Sequence, residues 1–344
     1  MMLVAALLAA PPAAAENGTE AKAKATDDGS TITLQFENDR VANTDRNYTN
    51  GWRITWLSGA QELPDWAERL GPLIEWPTFM ERKPETRISR RVGIGVGQDI
   101  YTPTDTAARD PQPNDRPYAA WLYATLALQS GYTNDEGTSR LDTFEIDLGV
   151  VGPYALGEQV QNGFHEIINS PQANGWDHQL PNEPAFVVAL ERKWRQPVIG
   201  ATPADDWGVD VLPFAGAYGG TVLTAFSGGA IVRFGQGLDR DFGAPRFRPN
   251  MASSLYFQSE RGLAWYVFGG ADGRAVLHNI FLDGSTFRHS PRVDKNTFVV
   301  DYHVGAALVW GDWRLSYTQV FRGREYEGQE KADRFGALSI SYRF

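Results

Sequence analysis

Oxygen-bearing side chains gather between the first two predicted strands. Asn38 and Asp39 follow the strand at residues 31–37, and residues 45–51, which read DRNYTNG, lead into the next strand. Carboxylate, amide, hydroxyl and carbonyl oxygens are the ligands that Ca²⁺ takes, so a calcium site at these strand ends is one interpretation. Asn, Asp, Thr and Gly are also common turn formers. From composition alone, an ordinary polar loop is the favoured interpretation.

A second candidate group lies in the segment 152–168. Val160, Phe164 and Ile167 recur at helical spacing, which predicts an amphipathic helix of about three turns. Gln161 and His165 are four residues apart and share a neighbouring face of that helix. The ordinary pKa of histidine lies near neutrality, so His165 is a candidate general base. An exposed histidine without a role is the commoner alternative.

The composition excludes several other chemistries. The chain of 344 residues has no cysteine, which excludes disulfide frameworks and thiolate zinc sites. Its formal net charge of −10 argues against a nucleic-acid partner, which needs clustered Lys and Arg. No Gly-x-Ser-x-Gly nucleophile motif occurs. Low mean hydropathy (−0.36) combined with 11 Trp, 13 Tyr, 18 Phe and 35 Gly is typical of a transmembrane β-barrel.

The first residues predict export. Residues 1–15 form an apolar stretch that ends in Ala13-Ala14-Ala15, the pattern of a signal peptide with an Ala-x-Ala cleavage site. Residues 16–30 are rich in Ala, Lys, Asp and Gly and predict a flexible leader. Residues 31–344 then form one outer-membrane barrel domain.

Alternation of apolar and polar residues runs from residue 31 to the end of the chain. Ile32 and Leu34, for example, alternate with Thr33 and Gln35. This period of two predicts an all-β, antiparallel transmembrane barrel of about 12 strands with a polar lumen. The strands are predicted at 31–37, 50–58, 89–100, 117–130, 142–152, 183–195, 207–218, 220–234, 261–277, 296–310, 311–321 and 334–344.

The last strand and the connections complete the predicted architecture. Leu338, Ile340, Tyr342 and the terminal Phe344 form one apolar face, the pattern that the outer-membrane assembly machinery reads. Tight turns at 219–220 and 311–312 are predicted on the periplasmic side. Long connections at 59–88, 101–116, 153–182, 235–260 and 278–295 are predicted to face outward.

Several motifs together resemble the lipid A 3′-O-deacylase family of Gram-negative outer membranes. They are Asn38-Asp39 and the runs 45–51 (DRNYTNG), 98–103 (QDIYTP), 115–118 (DRPY), 149–153 (GVVGP) and 159–165 (QVQNGFH). The resemblance covers essentially the whole mature chain. It implies a twelve-stranded barrel that hydrolyses the 3′-linked acyloxyacyl ester of lipid A, with Ca²⁺ as cofactor. Lipopolysaccharide in the outer leaflet would be its partner, and we expect a monomer.

The resemblance also implies roles for individual residues. His165 would activate water, and Asn38, Asp39 and Thr49 would complete the catalytic group, with Asp39 as the metal ligand. The residues that bind substrate or support the site would be Tyr48, Gln161 and Asn162. Members of the family have Glu six residues after the histidine, where this chain has Pro171. The carboxylate that orients His165 would then come from Glu166 or Asp177.

Two other functions compete with this one. In a non-catalytic transport or structural barrel, the lumen would be open and the strand-end residues would not converge with His165. A soluble all-β carbohydrate-binding protein would lack outward aromatic residues and the terminal Phe344. We assign no chemistry to the remaining histidines, His178, His278, His289 and His303.

Overall fold

A computed structural model of the chain describes residues 29–38, 47–60, 87–133, 139–200, 207–245, 255–259 and 262–344. The predicted signal peptide, and the predicted leader up to residue 28, lie outside these residues. Ser30 already belongs to the fold, because its backbone N–H and C=O pair with those of Phe344 at 2.9 Å each.

Within the described residues, twelve antiparallel strands form one closed barrel, which confirms the predicted fold. Each strand pairs with its neighbours in the chain, and β1 pairs with β12 from Thr31↔Arg343 to Asn38↔Gly336 to close the cylinder. The strands are β1 Thr31–Asn38, β2 Asn47–Leu57, β3 Arg87–Thr102, β4 Ala119–Thr133, β5 Ser139–Val151, β6 Glu183–Ile199, β7 Gly208–Gly220, β8 Leu223–Gln236, β9 Leu263–Asn279, β10 Phe298–Trp310, β11 Trp313–Arg322 and β12 Asp333–Arg343.

Helices are confined to the connections. Helix α1 (Gly157–Ile167) lies between β5 and β6, and the one-turn helix α2 (Ile280–Asp283) follows β9. Single 3₁₀ turns occupy Pro153–Ala155, Trp176–His178 and Leu238–Arg240. No helix in the described part of the chain is long and apolar enough to cross a membrane.

The two faces of the wall differ as the alternation predicts. On β1, Thr33 and Gln35 are buried in the lumen, whereas Ile32 and Leu34 are exposed on the outside. Outward residues of other strands, such as Val96, Leu148 and Phe226, are likewise apolar and exposed, so much of the wall presents hydrocarbon to its surroundings while polar groups line the interior.

Ion pairs fill the lumen. Arg233 pairs with Asp210 and Asp241, and Asp301 pairs with both Arg274 and Arg322. All of these side chains are buried. Removing one partner of a buried pair costs about 3–5 kcal/mol because the other charge is left uncompensated. The described interior is therefore a packed, cross-linked core.

Two predictions about the ends of the barrel were wrong. The turn after Gly220 joins β7 to β8 at the end that carries α1, which the sequence assigned to the outside. The connections at 59–88 and 235–260 join strand ends at the opposite end, beside Ser30 and Phe344. Successive strands of a closed antiparallel barrel alternate in direction. The end of the barrel at which a connection lies is therefore set by its order along the chain and not by its length. The Gly311-Asp312 turn does lie at the end with the termini, since Asp312 O accepts from Arg343 N at 2.8 Å.

A closed barrel with this wall makes a measurable prediction. We expect the protein to resist unfolding by detergent at room temperature and to migrate differently on gels before and after boiling. Every strand edge is paired, so the cylinder has no edge from which to unravel. Truncation after Arg343, which removes Phe344 and its pairing with Ser30, is expected to reduce the heat-modifiable fraction. Identical migration with and without boiling would contradict the prediction.

Candidate active site on the outer wall of the barrel

Asn38 points out of the barrel and is nevertheless buried. It is the last residue of β1, on the same face as Ile32 and Leu34. Its cross-strand partner is Asn50 of β2, and Asn50 pairs in turn with Ile100 of β3. Asn38, Asn50 and Ile100 are all buried, although they lie on the face that is exposed elsewhere on these strands. A cover must therefore lie over this part of the outer wall.

Helix α1 provides cover beside this row. It contacts β3 and β4, and the apolar cluster beneath it includes Ile100 and Ala120 of the wall together with Trp176. Gly157, the first residue of α1, allows this approach: a Cβ there would collide with the Cβ of Ala120 and lie 2.7 Å from the ring of Trp176. The helix therefore lies directly on the barrel wall.

A glutamine in the wall fastens the start of the helix. Gln98 faces outward on β3, accepts a hydrogen bond from Trp52 Nε1 at 3.0 Å and donates one to Ala155 O at 2.5 Å. Ala155 ends the 3₁₀ turn that leads into α1. A polar side chain on the outward face is satisfied here because both ends of its amide have partners.

The helix turns its polar residues inward. Gly157, Gln161 and His165 recur every four residues and are the buried residues of α1. Leu156, Val160 and Ile167 are exposed on the opposite side. The predicted amphipathic helix is thus present, with His165 turned toward the wall and the apolar face turned outward.

His165 is held in one orientation. Its Nδ1 lies 2.6 Å from the carbonyl oxygen of Pro171, and the side chain is 2% exposed. A carbonyl only accepts, so Nδ1 carries the proton and Nε2 is the basic nitrogen of the neutral ring. Among the described residues Nε2 has no hydrogen-bond partner. The expected carboxylate from Glu166 or Asp177 is not used: the backbone of Pro171 replaces it.

Gln161 and Asn162 have separate tasks. Gln161 Oε1 accepts from Trp176 Nε1 at 3.0 Å. Asn162 exchanges two hydrogen bonds with the backbone of Ala173, at 2.9 and 3.2 Å, and so ties α1 to the segment that carries Trp176. The amide of Asn162 is therefore committed to the backbone of its own loop.

Three predicted site residues are described in part or not at all. Asp39, the predicted metal ligand, lies outside the described residues. Tyr48 and Thr49 belong to β2, but their side chains also lie outside them. The backbone shows a register shift between Tyr48 and Asn50, so that Thr49 is an extra residue at the end of the strand. Such bulges redirect side chains at barrel rims.

The structure adds residues that the sequence did not single out. Asn50 was only part of a motif, yet it is paired with Asn38, and its buried Oδ1 has no hydrogen-bond partner among the described residues. Gln98 and Trp176 fix the helix to the wall and to its own loop. Gln98 and Trp176 come from segments remote from Asn38 in the chain, so only strand pairing and helix docking reveal them.

The donor set suits a hard cation in part. No group of three His, Cys, Asp or Glu residues able to hold a metal occurs among the described residues. An orphaned amide oxygen at Asn50, opposite Asn38, is the kind of neutral oxygen that Ca²⁺ accepts alongside carboxylates and water. A calcium ion would fit here if Asp39, the next residue after Asn38, supplied the carboxylate.

Comparisons with known proteins agree with this architecture. The model of the family described as "Outer membrane protein LpxR" matches residues 1–344. The solved structure of LpxR from Salmonella typhimurium superposes with a TM-score of 0.71 at 21% identity and covers 91% of this chain and 100% of its own. The beta domain of the Bordetella autotransporter BrkA superposes with a TM-score of 0.48 at 11% identity, covering 92% of this chain and 100% of its own. No curated protein gives a significant match.

Docking of α1 can be tested at Gln98. Gln98→Leu removes both hydrogen bonds and leaves Ala155 O and Trp52 Nε1 unsatisfied, at about 1–3 kcal/mol for each buried group. We expect hydrogen exchange in residues 153–168 to accelerate about tenfold or more, while the barrel stays heat-modifiable. Val96→Leu, at the next outward position of β3, is the matched control. Unchanged exchange in the Gln98 variant would show that other contacts hold the helix.

Proposed function

Because the chain belongs to the LpxR outer membrane protein family, whose model matches residues 1–344, we propose that it is a lipid A deacylase of the outer membrane. As a carboxylic ester hydrolase it would release the 3′-linked acyloxyacyl group of lipid A. The observation that carries the proposal is the position of His165: it lies on the buried face of α1, is 2% exposed, and its Nε2 has no hydrogen-bond partner among the described residues.

The depth of the site suits an ester of an outer-leaflet lipid. On β3, Val96 is 41% exposed, whereas Gln98, the next outward residue, is 2% exposed beneath the helix connection. The apolar belt therefore ends where the helix begins. The acyl esters of a lipid lie at the same boundary, between the hydrocarbon core and the polar headgroups.

The orientation of α1 supports access from the membrane. Ile167 is 83% exposed, and Leu156 and Val160 also face outward. An apolar face turned away from the protein suits contact with acyl chains, as in helices that lie in a membrane interface. The polar face meanwhile meets the wall. A lipid substrate would reach His165 sideways from the outer leaflet.

Polar groups on the outer wall distinguish this function from the competing ones. A transport barrel places its functional groups in the lumen, where this structure has ion pairs such as Arg233–Asp210. Asn38, Asn50, Gln161 and His165 instead belong to the outer wall and the helix that covers it. Buried polar groups facing lipid are costly, so their presence favours a function on that side.

The orientation of His165 suits general-base catalysis of ester hydrolysis. With Nδ1–H bound to Pro171 O, Nε2 accepts a proton from water as the water oxygen bonds to the ester carbonyl carbon. The carbonyl electron pair moves to oxygen. When the tetrahedral intermediate collapses, the bond to the sugar oxygen breaks, and the imidazolium returns its proton to that oxygen. The products are a carboxylic acid and a free 3′-hydroxyl.

Asn38, Asn50 and Asp39 are the residues that would hold Ca²⁺. When bound, the ion supplies positive charge near the carbonyl oxygen. The orphaned Oδ1 of Asn50 supports its placement at this row of the wall.

His165 is the first test of the proposal. His165→Ala is expected to lower the deacylation rate by about 10²–10⁴, the usual contribution of a positioned base. His165→Gln should be nearly as inactive, since an amide cannot take a proton at neutral pH. The measurement is the rate of 3′-acyloxyacyl loss from lipid A by mass spectrometry, with His178→Ala in the same loop as the control.

Both His165 variants should insert as heat-modifiable barrels, because the residue lies outside the strand ladder. Activity within about threefold of the parent in the His165 variants would remove the histidine from the mechanism. An inactive parent chain would refute the proposed function itself.

Calcium dependence can be tested by chelation and by substituting the residues that would hold the ion. Chelation should abolish activity, and Ca²⁺ should restore it better than Mg²⁺, which demands octahedral geometry and retains its water. Asp39→Asn and Asn50→Leu should each raise the Ca²⁺ concentration for half-maximal activity. Terbium luminescence gives a binding readout without turnover, and Asn174→Leu at the same end of the barrel is the control. Full activity in excess chelator would exclude a calcium role.

A further inference from the structure

Gln161 carries a hydrogen-bond donor that the fold leaves unused. Its side chain is 2% exposed, and its Nε2 has no hydrogen-bond partner among the described residues. A buried donor without a partner costs free energy of folding and is rare in native proteins. Such a group calls for a ligand that completes it.

The orientation of this amide is determined by Trp176. The indole Nε1–H is a donor only, so the atom 3.0 Å from it must be the amide oxygen of Gln161. The opposite end of the amide is therefore the NH₂ group. Trp176 is itself fully buried and packs against Tyr118, with ring centroids 4.9 Å apart. A rigid tryptophan thus selects which end of Gln161 is free.

The free NH₂ group belongs to the same helix face as His165. Gln161 and His165 are one turn apart, and neighbours at this spacing have Cβ atoms about 5–6 Å apart. Both are buried against the wall, and Gly157 one turn earlier touches Ala120 of β4. A donor and a base therefore lie one turn apart on the same buried face of the helix.

We propose that Gln161 Nε2 donates a hydrogen bond to the carbonyl oxygen of the scissile ester as that oxygen becomes negative, with Trp176 as its positioning residue. This inference rests on the proposed function. As water adds to the carbonyl carbon and His165 Nε2 takes its proton, the π electron pair moves to the carbonyl oxygen. The charge meets an N–H that is already oriented and desolvated.

Such preorganisation is what makes an oxyanion donor effective. A donor in water must reorganise its solvent shell, whereas a donor fixed in a dry site has met that cost during folding. If the amide were flipped, the Oε1 of Gln161 would face the oxyanion and repel it. The hydrogen bond from Trp176, which prevents this flip, is therefore as important as the amide itself. A carboxylic acid or an alcohol product no longer carries the charge, which favours release.

The experiment separates the donor from its structural contact. Gln161→Glu keeps an oxygen for Trp176 Nε1 but replaces the NH₂ group with a second oxygen. Gln161→Met removes both the amide oxygen and the NH₂ group. Trp176→Phe leaves the amide in place but removes the indole N–H that orients it, so the amide can rotate. Gln159→Met, an exposed position on the same helix, is the control. Rates are measured by mass spectrometry of lipid A, and docking of α1 by hydrogen exchange.

We expect Gln161→Glu and Gln161→Met to lower kcat by about 10²–10³ with KM changed by less than about threefold. Trp176→Phe should lower kcat by a smaller factor, again with little change in KM. A merely structural role would instead raise exchange in α1 and spare Gln161→Glu. Parental kcat in Gln161→Glu, or a loss confined to KM, would overturn the proposal. If Gln161→Met is active while His165→Ala is inactive, the role proposed for Gln161 is overturned and the proposed function still stands.

Discussion

The organisation of this protein depends on one constraint: in lipid, no backbone or side-chain polar group can be left without a partner. The backbone meets it by closure, since β1 pairs with β12 along its whole length. The side chains meet it by alternation, with Thr33 and Gln35 turned inward and Ile32 and Leu34 outward. The same requirement makes any polar group on the outer face an exception that needs a structural cause.

One group of these exceptions lies beside α1. Asn38, Asn50 and Gln98 all point outward near the ends of their strands, and all are buried. Helix α1 and the turn before it contribute the cover, with Gln98 bound directly to Ala155 O. The helix that helps to cover these polar residues also carries His165 on its buried face. The cover and the proposed catalytic base are therefore parts of one structural unit.

The packed lumen gives this unit a rigid support. The Arg53–Glu145 pair links β2 to β5 across the lumen, and the Arg274–Asp301–Arg322 group connects the neighbouring strands β9, β10 and β11. A site must be held within a fraction of an ångström to act on a bound substrate, and residues on strands hold position better than residues on free loops. An interior cross-linked in this way suits the proposed chemistry on the outside surface better than conduction through the lumen.

The sequence by itself determined the barrel, its twelve strands and the helix that carries Gln161 and His165. Period-two alternation and helical spacing are local properties, and a residue's immediate neighbours suffice to express them. It also led to Asn38, because a polar pair directly after an apolar strand is visible in the chain.

Only the tertiary structure decided which residues meet. Strand direction placed the turn after Gly220 at the end with α1, against the expectation from its length. Cross-strand register set Asn50 opposite Asn38, and docking of the helix joined Gln98 to Ala155 and Trp176 to Gln161. The partner of His165 turned out to be the backbone of Pro171, an acceptor that every residue type carries and no side-chain pattern reveals. These contacts depend on closure and register, which are set by the whole sheet and not by any one segment.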